Sequence, residues 1–166
     1  MLIFAHRGAS GVEPENTLRA IQAAISADVD GIEIDIYEAD NRLFVIHDRW
    51  LQRTTSGIGQ ISQHKYEDLR RLDAGLGESI PTLDEVLALI AGRCLINIEI
   101  KGISNIDLLF CYLDQAIHNA QITVDDILLS SFNHRLLYNI HQQRPEFAIG
   151  GLTACYPLDY AKFAEQ

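Results

Sequence analysis

Short apolar runs take turns with helical patterns along the chain. Leu2 to Ala5 reads as a strand, followed by a helix from about Thr17, a strand at Gly31 to Ile36, a helix from Thr82 and a strand at Leu95 to Lys101. A longer helix follows, with Ile106, Leu109, Phe110, Leu113, Ile117 and Ala120 at helical spacing. Ile127 to Phe132, a helix over Leu136, Leu137 and Ile140, and a strand at Phe147 to Leu152 complete the order. The helix starts carry capping chemistry: Asn16-Thr17 stands ahead of Leu18, Ile21 and Ile25, and Thr82 with Glu85 three residues on forms a capping box. Such alternation predicts parallel strands joined by helical crossovers. One connection breaks it. Eleven residues separate Asp35 from His47, too few for a crossover helix, and Asp40-Asn41 sits midway, where a tight turn wants residues that tolerate positive φ. Phe44 to His47 is therefore expected to return as a hairpin arm.

The charges inside the strands carry the chemistry. Period-two spacing puts Ile32, Ile34 and Ile36 on one face and Glu33 and Asp35 on the other; Ile96, Ile98 and Ile100 oppose Asn97, Glu99 and Lys101 in the same way. An antiparallel strand with one wet face also alternates like this. In a parallel sheet, which is normally covered on both faces, the polar side is instead the interior or mouth of a closed or nearly closed sheet. Glu33, Asp35 and Glu99 then converge. Gathered carboxylates raise one another's pKa unless a cation neutralises them, and all-oxygen ligands favour Mg²⁺ or Ca²⁺. His6 and His47, each at the end of an apolar run, are candidate proton carriers, and Arg7 and Lys101 are candidate phosphate ligands. This set suits attack at a phosphate. His64, His118, His134 and His141 fall in helical or loop stretches and read as surface or packing residues.

Composition narrows the classes further. Of 166 residues 48% are hydrophobic, enough to bury a core, and neither a repeat nor a linker divides the chain, so one domain over residues 1–166 is expected. Thirteen Lys and Arg against 23 Asp and Glu give a net charge of −10, which argues against nucleic acid as a partner. No apolar stretch approaches a membrane span and no leader pattern opens the sequence, so a cytoplasmic protein without membrane insertion is expected. Cys94, Cys111 and Cys155 have no metal-ligand or C-x-x-C spacing and read as reduced thiols filling apolar positions. Gly57-Ile58-Gly59 is a turn signal without the Lys-Ser/Thr of a phosphate-binding P-loop.

Several motifs occur together and in order: Ala5-His6-Arg7-Gly8, Pro14-Glu15-Asn16-Thr17, Glu33-Ile34-Asp35, Val45-Ile46-His47-Asp48 after the Asp40-Asn41 turn, Arg53-Thr54-Thr55, Pro81-Thr82-Leu83-Asp84-Glu85, Glu99-Ile100-Lys101 and Ser130-Ser131-Phe132. Jointly they resemble the glycerophosphodiester phosphodiesterases. The resemblance implies a TIM barrel, a (β/α)₈ fold, and metal-dependent hydrolysis of glycerophosphodiesters to sn-glycerol 3-phosphate and an alcohol. It also implies His6 as proton acceptor, His47 as proton donor, Glu33, Asp35 and Glu99 as ligands of Mg²⁺ or Ca²⁺, and Arg7 and Lys101 at the phosphate. Asn41 replaces the family's usual Gly, and since Asn tolerates left-handed backbone the turn is expected to survive.

A TIM barrel typically takes about 250 residues. Five of its eight strands are legible here, with the hairpin arm counted apart, so the barrel is expected to be incomplete and the chain a fragment or a short form. Open edges of such a sheet would need another copy or chain to cover them. Two alternatives to the hydrolase stand beside it: a truncated, weakly active module that binds metal and glycerophosphate, and an enzyme that stops at a cyclic phosphate, as related secreted phospholipases do.

Overall fold

The computed structural model describes residues 1–154. Its centre is a six-stranded sheet built from β1 (Phe4–His6), β2 (Gly31–Ala39), β3 (Arg42–Val45), β4 (Leu95–Gly102), β5 (Ile127–Ser131) and β6 (Ala148–Gly151). The order is β1-β2-β4-β5-β6, all parallel, with β3 antiparallel against the far end of β2. Among the described residues β1 pairs only with β2 and β6 only with β5, so the sheet curves through an incomplete α/β barrel without closing. The first strand lies later than the apolar run suggests. Leu2 and Ile3 are exposed, and pairing begins at Phe4 and carries on to His6, which stands opposite Glu33.

Helices α1 (Leu18–Ser26), α3 (Leu83–Ile90), α4 (Ile106–His118) and α5 (His134–Gln143) cover the outer face, with the single-turn α2 (Tyr66–Leu69) between the first two. Their starts follow the capping chemistry. Thr17 Oγ1 accepts from Ala20 N, and Glu85 Oε2 accepts from Thr82 N at 2.8 Å in the capping box of α3. Isoleucines 32, 34, 36, 96, 98 and 100 form one core with Ile21, Leu83, Leu87, Leu109 and Leu113 beneath these helices. Burial of the apolar stripe thus fixes which side of β2 and β4 faces the helices, and the carboxylates are left on the other. No helix among the described residues is long and apolar enough to cross a membrane.

The hairpin forms, with Asp40 and Asn41 at φ 49° and 55° and Ala39 opposite Arg42, but its paired arm is Arg42–Val45 rather than Phe44 to His47, because pairing starts directly at the turn. Beyond it the chain builds something the periodicity did not show. Ala39, Phe44, Ile46, Leu51, Ile61, Leu69, Ala74 and Ile80 make a second, smaller core under the segment between β3 and α3. That segment holds only short helical turns, at Leu51–Arg53, Ile61–Gln63 and α2, whose apolar residues are too sparse to register as a helix in sequence. It is tied to the barrel by hydrogen bonds from Val45 N to the Pro81 carbonyl at 2.8 Å and from Ile46 N to the Asp35 carbonyl at 2.9 Å. Cys94 packs half-buried against the main core, but Cys111 is exposed on α4 rather than filling an apolar position; Cys155 lies outside the described residues.

The turn offers a direct check. Replacing Asn41 by Gly is expected to hold or raise the urea midpoint, whereas Asn41→Val, forced into left-handed backbone, is expected to lower stability by about 1–2 kcal/mol.

Candidate active site

The polar face of the sheet collects the site at the end of β1, in the first half of β2 and in the second half of β4. In register, His6 lies opposite Glu33, and Asp35 lies opposite Glu99. Glu33, Asp35 and Glu99 are buried, and each offers an oxygen within 4.8 Å of the others'. Asp35 is fully sealed from solvent. Its Oδ2 accepts from Asn16 Nδ2 at 2.9 Å, and Arg7 Nε approaches the same oxygen at 3.5 Å.

The loop after β1 makes this possible. Arg7 and Gly8 both take positive φ, 61° and 74°, turning the chain so that Arg7 N donates to the Glu33 carbonyl at 2.8 Å and approaches Glu33 Oε2 at 3.0 Å. A Cβ on Gly8 would sit 2.7 Å from the Ala20 carbonyl carbon, so only glycine lets α1 come this close. Asn16, also at positive φ, then points into the site from the start of α1.

Positive charge is present but short of balance. Lys101 Nζ donates to Glu99 Oε1 at 2.8 Å and stands 3.4 Å from Asp35 Oδ1. Burial works against the Lys101 ammonium, yet Glu99 and Asp35 hold its pKa above the ordinary value. Burial first, and the Asp35 charge second, push the Glu33 carboxyl up to about 7. Glu33 Oε1 and Asp35 Oδ1 are buried without a hydrogen-bond donor. Three convergent carboxylates with two unsatisfied oxygens fit a hard divalent cation, whose preferred ligands are oxygens.

The histidines flank this cluster. His6, with its side chain 65% exposed, brings Nε2 to 3.7 Å from Glu33 Oε2. His47 follows β3; its Nδ1 donates to Asp48 Oδ1 at 2.6 Å and its Nε2 accepts from Lys101 Nζ at 3.2 Å. A chain of ion pairs runs on from there. Arg53 pairs with Asp48 through Nε and forks onto Glu15 with both terminal nitrogens at 2.8 Å, and Glu15 Oε1 also accepts from Arg7 Nη1 at 2.8 Å. Arg53 is the main reason why the carboxyls of Glu15 and Asp48 both lie below their ordinary range.

The profile of the Glycerophosphoryl diester phosphodiesterase family matches residues 6–162. The chain belongs to this family. A glycerophosphodiester phosphodiesterase of Caldanaerobacter subterraneus is 40% identical over 164 residues, covering 93% of this chain and 67% of that protein. One from Bacillus altitudinis is 40% identical over 162 residues, covering 91% of this chain and 66% of its own length. The chain therefore spans about two thirds of the curated relatives it matches. Among solved structures, an Oleispira antarctica phosphodiesterase in complex with the product sn-glycerol-3-phosphate superposes with a TM-score of 0.87 at 30% identity, over 99% of this chain and 71% of that one.

All seven residues singled out in the sequence, His6, Arg7, Glu33, Asp35, His47, Glu99 and Lys101, meet at this face of the sheet. The other histidines do not. His64 Nε2 is 3.0 Å from the Ile58 carbonyl oxygen and His134 Nε2 is 2.8 Å from that of Leu152, while His118 and His141 are exposed in the last turns of α4 and α5. Sequence reasoning gave Glu15, Asp48 and Arg53 no role and read Asn16 only as helix-start chemistry, although each stands inside a family motif. Glu15 and Arg53 are 38 residues apart, and no periodicity links them. Removing the Asn16 amide should expose the dependence of Asp35 on it: Asn16→Ala is expected to cost about 1–3 kcal/mol in urea denaturation with chelator present, because a buried carboxylate loses its donor.

Proposed function

We propose that this site hydrolyses glycerophosphodiesters, in a metal-dependent reaction that releases sn-glycerol 3-phosphate and an alcohol. The observation that carries the reading is the Lys101 ammonium, which touches Glu99, Asp35 and His47 at once and so ties the candidate cation site to a candidate proton donor. Family membership and the product named for the Oleispira relative support the same substrate class.

In this reading Glu33, Asp35 and Glu99 hold Mg²⁺ or Ca²⁺. When bound, the cation supplies Lewis-acid stabilisation of the phosphoryl charge. Arg7 and Lys101 present their cationic groups to the phosphate oxygens from two sides of the carboxylates. His6 takes the proton of the attacking oxygen; its exposure leaves it free to pass that proton to water. His47 gives a proton to the departing alcohol. Its tautomer is set by Asp48: with Nδ1 donating to the carboxylate, Nε2 is the atom that exchanges. In this structure Nε2 accepts from Lys101, and a phosphate that draws Lys101 away frees Nε2 to carry the proton. Glu15 and Arg53 act through others, since the ion-pair chain fixes Arg7 and Asp48 in one frame.

A second reading, a metal- and glycerophosphate-binding module of low turnover, draws on the unpaired outer edges of β1 and β6 among the described residues, which leave one side of the sheet interior uncovered. Release of glycerol 3-phosphate from glycerophosphocholine, with and without chelator, separates the two. Hydrolysis abolished by EDTA and restored by Mg²⁺ or Ca²⁺ is expected; Mg²⁺ binding with no product would favour the module. His6→Ala and His47→Ala are each expected to lower turnover by roughly 10²- to 10⁴-fold. Both should still gain thermal stability with added Mg²⁺, by about 2.7 kcal/mol at a hundredfold excess over Kd.

The ion-pair chain makes a separate expectation. Arg53→Ala should reduce kcat by roughly tenfold, and Arg53→Lys should not restore it, because a point charge cannot bridge Asp48 and Glu15 as the planar fork does. Steady-state kinetics on the three forms reads this, and full rescue by Lys would reduce Arg53 to a bulk charge.

A further inference from the structure

Beside the carboxylate cluster lies a second concavity, of about 470 Å³, that the chemistry above leaves unused. Tyr37, Glu38, Arg49, Gln60, Ser62 and Ser104 line it. Tyr37 is shared. It also lines the catalytic cleft together with Glu99, Lys101 and Phe132, so its ring is the wall between the two. That wall is held by a glycine: a Cβ on Gly102 would lie 2.6 Å from Tyr37 Cε1, so the ring rests on the bare backbone of β4.

Two features give the cleft a position and a chemistry. Arg49 follows His47 by two residues in the chain and Tyr37 borders both clefts, so this cleft adjoins the candidate site. Four of its polar side chains are also free. Among the described residues no protein group hydrogen-bonds the side chains of Tyr37, Arg49, Gln60 or Ser62; Arg49 stacks 5.5 Å from the Trp50 ring centre and its charge acts on Tyr37. Glu38 is fixed in place, its Oε2 accepting from Ser104 N, Ser104 Oγ and Asn105 N.

We propose that this cleft is the subsite for the leaving alcohol and takes a neutral polyhydroxylated one, such as an inositol ring or glycerol. The proposal rests on the phosphodiesterase reading. Hydroxyls both donate and accept, and the cleft offers both: Arg49 and the Gln60 amide as donors, the other oxygen of the Glu38 carboxylate as acceptor, and hydroxyls of Tyr37 and Ser62 as either. A quaternary ammonium head prefers an aromatic cage; here one aromatic ring lines the cleft and a guanidinium opposes the cation. Asp40 is already paired, its Oδ1 with Lys65 and its Oδ2 accepting from Tyr66 N, so Glu38 and Arg49 leave the cleft without net charge, which suits a neutral head over an anionic or a cationic one.

The test is equilibrium binding to the full chain carrying His6→Ala, which slows turnover at least about a hundredfold, in the presence of Mg²⁺. Glycerophosphoinositol is expected to bind about tenfold more tightly than glycerophosphocholine, roughly the worth of one charge-assisted hydrogen bond. Adding Arg49→Ala should bring the two diesters within about twofold, and Tyr37→Phe, which keeps the wall and removes its hydroxyl, should take part of the preference away. Equal affinity in the parent, or tighter binding of the choline diester, overturns the proposal. Preference for the inositol diester that survives Arg49→Ala and Tyr37→Phe also overturns it. Failure of the phosphodiesterase reading looks different: the unsubstituted chain would release no glycerol 3-phosphate from any diester while the binding preference stood.

Discussion

Three carboxylates share one buried face, and Asp35 among them has no contact with water at all. An isolated ionised carboxylate in such a place is untenable, so the surrounding structure is arranged to supply donors and countercharge. Asn16 is brought in from the start of α1, which requires Gly8 to admit the helix and positive φ at Arg7 and at Asn16 itself. Lys101 is brought in by β4, two residues beyond Glu99 on the same face. Even so, Glu33 is pushed up to about 7 by burial and by Asp35. That residual imbalance, with Glu33 Oε1 and Asp35 Oδ1 left without a donor, makes this face one that could hold a cation.

His47 answers a different constraint. In the proposed reaction a proton donor stands above the strands, and a crossover helix would carry the chain away from them. The short hairpin keeps it there, with Ile46 N bonded to the Asp35 carbonyl, and the second core of Phe44, Leu51, Ile61 and Ile80 holds the segment down. Because Arg53 is on this segment and Glu15 is on the loop before α1, their bidentate pair also locks the insertion to the barrel. One interaction thus serves position and charge together. Glu15, partly buried, aligns Arg7 and Arg53 together, so in the proposed reaction it bears on both histidine and phosphate.

Much of this was legible in the sequence because period two is strict in Gly31–Ile36 and Leu95–Lys101. The isoleucine face had to find helices, so the face of Glu33, Asp35, Glu99 and Lys101 followed from alternation alone. Capping at Thr17 and Thr82 and the Asp40-Asn41 turn were equally local signals. What escaped was either non-local or aperiodic. The Glu15–Arg53 pair spans 38 residues, the second core is assembled from isolated apolar residues between short helical turns, and Tyr37 becomes a wall only because Gly102 lies beneath it. The exposed Cys111 escaped for a simpler reason: on α4 an apolar residue type occupies a solvent-facing position, and composition cannot tell which face it takes.

Register is what joins the core to the chemistry. Asp35 is opposite Glu99 and Glu33 opposite Asn97, while Ile34 is opposite Ile98 between them. A slip of one residue between β2 and β4 would set Asp35 against Ile98 or Ile100 and would turn one strand's carboxylates toward the helices. The isoleucines forbid it, since each then loses its place beneath α1, α3 and α4. The pressure that seals the core therefore also aligns the carboxylates, with no interaction among the charged groups themselves required to do so. It follows that the repulsion among Glu33, Asp35 and Glu99 is tolerated rather than relieved by local movement. A site held in this way keeps its geometry when a ligand arrives, which is the condition under which fixed charges stabilise a reacting phosphate most.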